Sequence, residues 1–125
     1  MPRRVLIVDD SLLMRHLVGE ALASDGWEIA GEAGNGTEAI EQYRRLRPDV
    51  VTLDISMPDC NGLQAVRTLI KIDPNAKIVV VSALNQNRLT VELIRAGARG
   101  FVVKPFLPEQ LQETVRASVD EPVTV

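Results

Sequence analysis

Five polar residues stand directly behind short apolar runs of the chain. Asp9 and Asp10 follow Val5-Leu6-Ile7-Val8, Asp54 follows Val50-Val51-Thr52-Leu53, Ser82 follows the run Ile78 to Val81, and Lys104 follows Phe101-Val102-Val103. Three carboxylates brought together repel one another, and hard oxygen ligands of that kind suit a divalent cation that keeps several waters, above all Mg2+. With a hydroxyl and an ammonium beside it, such a pocket can neutralise the oxygens of a transferring phosphoryl group. The set contains no histidine base and no cysteine nucleophile, and Asp54 is a possible carboxylate nucleophile. Each residue also has a plainer reading. Asp9-Asp10 could cap a helix, Asp54 could be a turn residue, and Lys104 could balance the charge of its neighbours. Those readings are acceptable one at a time and implausible together.

The elements that must position these residues follow from periodicity and punctuation. A strand over Val5 to Val8 leads through Asp9-Asp10 to Ser11, after which Met14, Leu17, Val18, Ala21 and Leu22 recur at helical spacing until Ser24-Asp25-Gly26. A weaker strand spans Glu28 to Glu32, and Gly34-Asn35-Gly36 turns the chain. Thr37 opens a helix carrying Ala39, Ile40 and Tyr43 as far as Arg47, where Pro48 disfavours helical geometry in the residue before it. Val50 to Leu53 is a third strand, Asp54 to Gly62 a loop, and Leu63, Val66, Leu69 and Ile70 mark a helix ended by Asp73-Pro74-Asn75. A strand over Ile78 to Val81, a helix over Arg88 to Ala96 capped by Gly97, a strand over Phe101 to Val103 and a helix over Pro108 to Val119 complete the pattern. Strands alternating with helices, the strands nearly all apolar, predict a doubly wound α/β domain: a five-stranded parallel sheet flanked by five helices. In such a sheet the ligand crevice lies beyond the carboxyl ends of the strands, where the five polar residues fall.

Composition narrows the function classes. The 125 residues suit one domain, and 46% hydrophobic with 25% charged residues is ordinary globular composition. A formal charge of −3 offers no positive field for a polyanion, so nucleic acid is not expected as a direct partner. The apolar run Ile78 to Val81 is far short of a membrane span, and the start of the chain lacks the apolar core of a signal peptide. One cysteine, Cys60, and one histidine, His16, exclude an internal disulfide and are too few for a zinc site, which fits a reducing cytoplasm. Helical periodicity fades at Asp120, so residues 1–119 are expected to form the domain and 120–125 a tail or the start of a linker.

At these residues the chain resembles the receiver domain of two-component response regulators. The match runs over nearly the whole length through Asp9-Asp10, Asp54-Ile55-Ser56-Met57-Pro58 to Gly62, Ser82-Ala83 and Lys104-Pro105-Phe106. The stretch Lys71 to Lys77 and Lys104-Pro105-Phe106 are similar to the chemotaxis (CheY-like) single-domain type. The resemblance implies the flavodoxin-like receiver fold and a phosphorylation-dependent switch in which Asp54 accepts a phosphoryl group from a histidine kinase. It implies that Asp9, Asp10, Asp54 and the backbone carbonyl of Ser56 arrange Mg2+, with Mn2+ as a substitute, and that Lys104 pairs with a phosphoryl oxygen. By the same resemblance the Ser82 hydroxyl moves onto the phosphorylated aspartate and the Phe101 ring turns inward. That change remodels a surface around Thr90, Phe101 and Val103 for a downstream protein. The Lys104-Pro105 bond is expected to be cis, and the chain to be a monomer with dimerisation on phosphorylation as an alternative. Catalysis would be confined to the chain itself, by gain of phosphate and slow loss to water, so it is not read as an enzyme. The chain departs from the commonest pattern by serine at Ser82 for threonine and phenylalanine at Phe101 for tyrosine. A ring without a hydroxyl has less to desolvate when it turns inward.

Rival readings share parts of this pattern. The same fold serves as the receiver portion of larger transcription factors and methylesterases. A metal-dependent phosphohydrolase could use Asp54 as covalent nucleophile, although no insertion large enough to enclose a substrate is visible. Flavin or nucleotide binding rests on layer architecture alone. His16, with Glu20 one turn on, reads as an exposed helix residue rather than a phosphate carrier, and Arg44, Arg45 and Arg47 as a solvated helix end. Cys60 has no partner residue to support reactivity. Removing Asp9 or Asp10 is expected to weaken Mg2+ binding without unfolding the domain, and to relieve repulsion in the metal-free form.

Overall fold

Short β-branched runs too apolar to face water become the interior strands, and the amphipathic segments between them become the covering helices. The computed structural model describes residues 3–57, 61–83 and 87–120. Its elements are β1 (Arg4–Val8), α1 (Leu12–Ser24), β2 (Glu28–Ala33), α2 (Gly36–Leu46), β3 (Val50–Leu53), α3 (Gly62–Ile72), β4 (Ile78–Ser82), α4 (Asn87–Ala96), β5 (Gly100–Val103) and α5 (Pro108–Asp120). All strand pairs are parallel, in the order β2-β1-β3-β4-β5. Every residue of β3 and β4 is buried, whereas the edge strands β2 and β5 are only partly covered.

The sheet separates two cores. On one face Val5, Ile7, Val79 and Val81 pack against Val18, Ala21 and Leu22 of α1 and Leu111 and Val115 of α5. On the other, Leu6, Val8, Val51, Leu53 and Val80 pack against Ala39 and Tyr43 of α2, Val66 and Leu69 of α3 and Leu93 of α4. Trp27 is buried in the first core, its amide bonded to the Leu22 carbonyl at the start of β2, opposite the carboxyl ends of the strands. No helix among the described residues is long and apolar enough to cross a membrane.

The element boundaries differ from the sequence expectations at the caps. Gly34-Asn35-Gly36 is not a free turn: Asn35 is the N-cap of α2, its Oδ1 accepting from the Glu38 amide at 2.8 Å, and Gly36 is already helical. Asn61 does the same for α3, so that helix begins at Gly62 rather than Leu63. α2 stops at Leu46 ahead of Pro48, which disfavours helical geometry in the residue before it, and Arg47 closes the helix as a left-handed C-cap at φ 48°, its amide bonded to the Tyr43 carbonyl. Ser82 is the last residue of β4 rather than the first after it. α5 continues through Asp120, and residues 121–125 lie outside the described residues.

Tyr43 ties α2 to the end of α3. Its buried hydroxyl donates to Asp73 Oδ2 at 2.7 Å. Burial, with Asp73 beside it, pushes the phenol well above its usual range, and the bond from Tyr43 holds the Asp73 carboxyl below its ordinary 3.8. A depressed carboxyl stabilises the fold above its unfolded value and loses that contribution as pH falls through its folded value. Tyr43→Phe is therefore expected to lose about 1 kcal/mol at neutral pH, the acceptor being solvent-touched. In urea titrations the gap to the wild type should close as pH drops below 3.8, and a gap that persists in acid would reject the bond as its cause.

Candidate functional site

The register of the inner strands places two carboxylates side by side. Val8 pairs with Leu53, the Asp54 amide donates to the Val8 carbonyl at 2.9 Å, and the Asp9 amide donates to the Ala33 carbonyl at 3.0 Å. Asp9 and Asp54 therefore leave adjacent strands at the point where the strand order reverses, the usual crevice of a doubly wound sheet. One oxygen each from Asp9, Asp10 and Asp54 lie within 4.8 Å of one another. Asp9 and Asp54 are each 2% exposed, whereas Asp10 is open to solvent.

Lys104 enters from β5. Its amide donates to the Ser82 carbonyl, and its Nζ lies 2.8 Å from Asp9 Oδ2 and 3.4 Å from Asp54 Oδ2. Burial works to lower its pKa, but the hydrogen bond it donates to Asp9 and the charges of Asp54 and Asp9 outweigh that and hold it above the ordinary lysine value. The side chain is an ammonium at neutral pH. Asp54 Oδ1 accepts from both the amide and the hydroxyl of Ser56, at 2.9 and 2.6 Å. Asp9 Oδ1 accepts from the Ser11 amide at 2.9 Å, while the N-cap of α1 is Ser11 itself, bonded to the Met14 amide. The capping reading of Asp9-Asp10 is thus taken by another residue. Three carboxylates facing one ammonium leave an excess of negative charge built from hard oxygen donors, and that donor set fits Mg2+.

Ser82 is fully buried at the end of β4, opposite Val103. Alternation along a strand puts it on the same sheet face as Val80, which pairs with Phe101. Phe101 is half-buried against the core under α3 and α4, Val103 on the same strand is 38% exposed, and Thr90 of α4 is half-buried. Asp9, Asp10, Asp54, Ser56 and Lys104 thus come together, while Phe101, Val103 and Thr90 lie to one side, toward α4. The Lys104–Pro105 peptide is cis. His16 is exposed on α1 with its Nε2 3.1 Å from Glu20, outside the cluster. Pro58 and Cys60 lie outside the described residues.

Sequence reasoning missed two contributions. The Ser56 hydroxyl carries no signal beyond its spacing from Asp54. Gly62 is more legible in retrospect, because a glycine in the first turn of a helix gives up stability that alanine would supply. A Cβ at Gly62 would overlap the Ile55 side chain and come within 2.9 Å of Ile55 Cα, so the glycine lets α3 lie against the residue that follows Asp54. Gly62→Ala is expected to destabilise the domain by about 1–3 kcal/mol through overpacking, despite the better helix former. Chemical denaturation measures this, and a neutral or stabilised variant would show that the contact is slack.

Comparison with known proteins covers the stretch of chain that holds these residues. The family model "Response regulator receiver domain" matches residues 5–116. A chemotaxis protein CheY of Thermotoga maritima is 50% identical over 115 residues, 92% of this chain and 96% of the relative. A chemotaxis protein CheY of Bacillus subtilis is 38% identical over 120 residues, 96% of this chain and 100% of the relative. Among solved structures, a chain in the CheX-CheY-BeF3-Mg2+ complex from Borrelia burgdorferi superposes with a TM-score of 0.91 at 33% identity, covering 94% of this chain and 89% of that one.

Proposed function

The chain belongs to the response regulator receiver domain family, whose role is phosphorylation-dependent signalling, and on that premise we propose that Asp54 is its phosphoacceptor. The carboxylate of Asp54 attacks the phosphorus of a phosphohistidine on a partner kinase; the phosphorus–nitrogen bond breaks as the phosphorus–oxygen bond forms, and the imidazole leaves. Asp9, Asp10, Asp54 and the Ser56 carbonyl would hold Mg2+, or Mn2+ in its place, which when bound supplies charge neutralisation for the phosphoryl oxygens. Lys104 already spans Asp9 and Asp54, and its ammonium passes from carboxylate to phosphoryl oxygen as negative charge accumulates there. Water attacking the same phosphorus later returns Asp54 and free phosphate, so the chain acts only on itself.

The Ser82 hydroxyl follows the new phosphoryl oxygens, and Phe101, on the same sheet face, turns into the space that Ser82 leaves. The surface of α4 and β5 around Thr90, Phe101 and Val103 is thereby remodelled for a downstream protein, a switch between two packings. The CheY of Borrelia burgdorferi was solved with CheX, BeF3 and Mg2+, which supports a metal and a protein partner for this chain as well. The switching domain runs through Asp120 at the end of α5, one residue past the boundary expected from the sequence, and the partners meet it in the cytoplasm, as a monomer unless phosphorylation pairs two copies.

One observation carries the reading: Lys104 Nζ bridges two of three clustered carboxylates at the ends of β1 and β3. With a small-molecule phosphodonor and Mg2+, intact mass should rise by one phosphoryl group. Amide resonances should then move at Thr90, Phe101 and Val103 as well as around Asp54. Shifts confined to the Asp54 pocket would reject the switch, and steady turnover of added phosphoesters would favour a phosphohydrolase.

A further inference from the structure

We propose that Arg15 is a positioning residue for the acidic site: braced on Glu32 of β2, its guanidinium holds the Asp9 carbonyl and so sets the direction of Asp10. The inference rests on the metal reading above and extends it to a residue outside the carboxylate cluster. Arg15 lies in the first turns of α1, where a cation meets the positive end of the helix dipole and loses by it. Its place there needs another cause, and the contacts supply one. Nη1 donates to the Asp9 carbonyl at 2.7 Å, and Nε donates to Glu32 Oε1 at 2.9 Å. The planar fork of a guanidinium makes both bonds at once, and its side chain is 19% exposed against 48% for Glu32.

The Asp9 carbonyl belongs to the peptide that joins Asp9 to Asp10, and a planar peptide held at its oxygen determines where the next Cα begins. The rest of Asp9 is already held: its amide by Ala33, Oδ1 by Ser11 and Oδ2 by Lys104. Asp10 is the exposed member of the three, so its approach to Asp9 and Asp54 depends on that peptide more than on burial. Charge alone predicts the opposite behaviour. Removing a cation from beside a cation site should tighten Mg2+ binding, whereas removing a brace should weaken it.

The test is a Mg2+ titration by calorimetry on the full chain as wild type, Asp10→Ala, Arg15→Ala and Arg15→Lys, with metal-free thermal unfolding and amide spectra alongside. Arg15→Ala is expected to bind Mg2+ about tenfold or more weakly, the usual effect of losing a residue that orients a ligand. The metal-free amide resonances of Asp10 and Ser11 should shift in the same variant. Arg15→Lys keeps the charge but reaches only one of the two acceptors, so it should fall between wild type and Arg15→Ala, and it carries the test if Arg15→Ala does not fold. Affinity equal to or above the wild type in a folded Arg15 variant overturns this inference alone. Wild type that takes up no Mg2+, or Asp10→Ala that binds as wild type does, overturns the metal reading and this inference with it.

Discussion

Asp54→Asn is expected to take up no phosphoryl group under conditions that label the wild type, with the fold retained. The substitution keeps the shape of the side chain and an oxygen able to accept from the Ser56 amide and hydroxyl, both now on Asp54 Oδ1. Lys104 keeps its shorter contact, 2.8 Å to Asp9, and loses only the longer one to Asp54. What disappears is the anionic nucleophile, and an amide oxygen cannot form the acyl phosphate in its place. The removed charge also eases repulsion within the cluster, so stability should not fall. Intact mass after phosphodonor treatment, with amide spectra to confirm folding, measures the outcome. Labelling of Asp54→Asn at the wild-type rate would move the acceptor to another residue.

The second large effect separates two neighbouring aspartates. Asp10→Ala should weaken Mg2+ binding by about 100-fold or more, since losing a direct ligand exceeds the cost of losing an outer-shell partner. The metal-free protein should become more stable, because an exposed charge is removed from beside two like charges. Asp9→Ala should weaken Mg2+ as strongly but destabilise the metal-free fold by about 3 kcal/mol, the low end for a broken buried pair because Asp54 keeps part of the Lys104 contact. It strips partners from Lys104 Nζ and from the Ser11 amide. The Lys104 pKa is raised, so its stabilising contribution is complete below the ordinary lysine value of 10.5 and is lost as pH rises through the folded one. The Asp9→Ala penalty should therefore persist across neutral pH. Urea titrations of both variants without metal decide the matter, and equal stabilities would mean that Asp9 is not held as the structure places it. The sequence expectation treated the two removals alike.

The chain's own order of residues determined a great deal. Runs such as Val50 to Leu53 and Ile78 to Val81 can only be interior strands, and helical spacing between them requires a parallel sheet covered on both faces. Once that is granted, Asp9, Asp54 and Lys104 must gather at one edge, because each stands at the carboxyl end of its strand. Capping chemistry was only partly legible. Gly34-Asn35-Gly36 reads as a turn, and Asn35 becomes a cap only when Glu38 arrives one turn later.

Tertiary structure decided what depends on contacts between distant segments. The order β2-β1-β3-β4-β5 puts Asp9 beside Asp54, and nothing local to either residue states that order. Asp9 and Asp10 are the same residue type at consecutive positions, yet one is buried and held at four points while the other faces solvent. The difference arises because pairing with β2 continues to Ala33 and draws Asp9 in. The Gly62 approach to Ile55 and the Arg15 bridge from Asp9 to Glu32 likewise join segments that meet only in the folded domain. Periodicity and strand-end chemistry are written in nearest neighbours and survive in the sequence alone. Orientation and electrostatic pairing come from groups many residues apart, so they exist only after the sheet has closed.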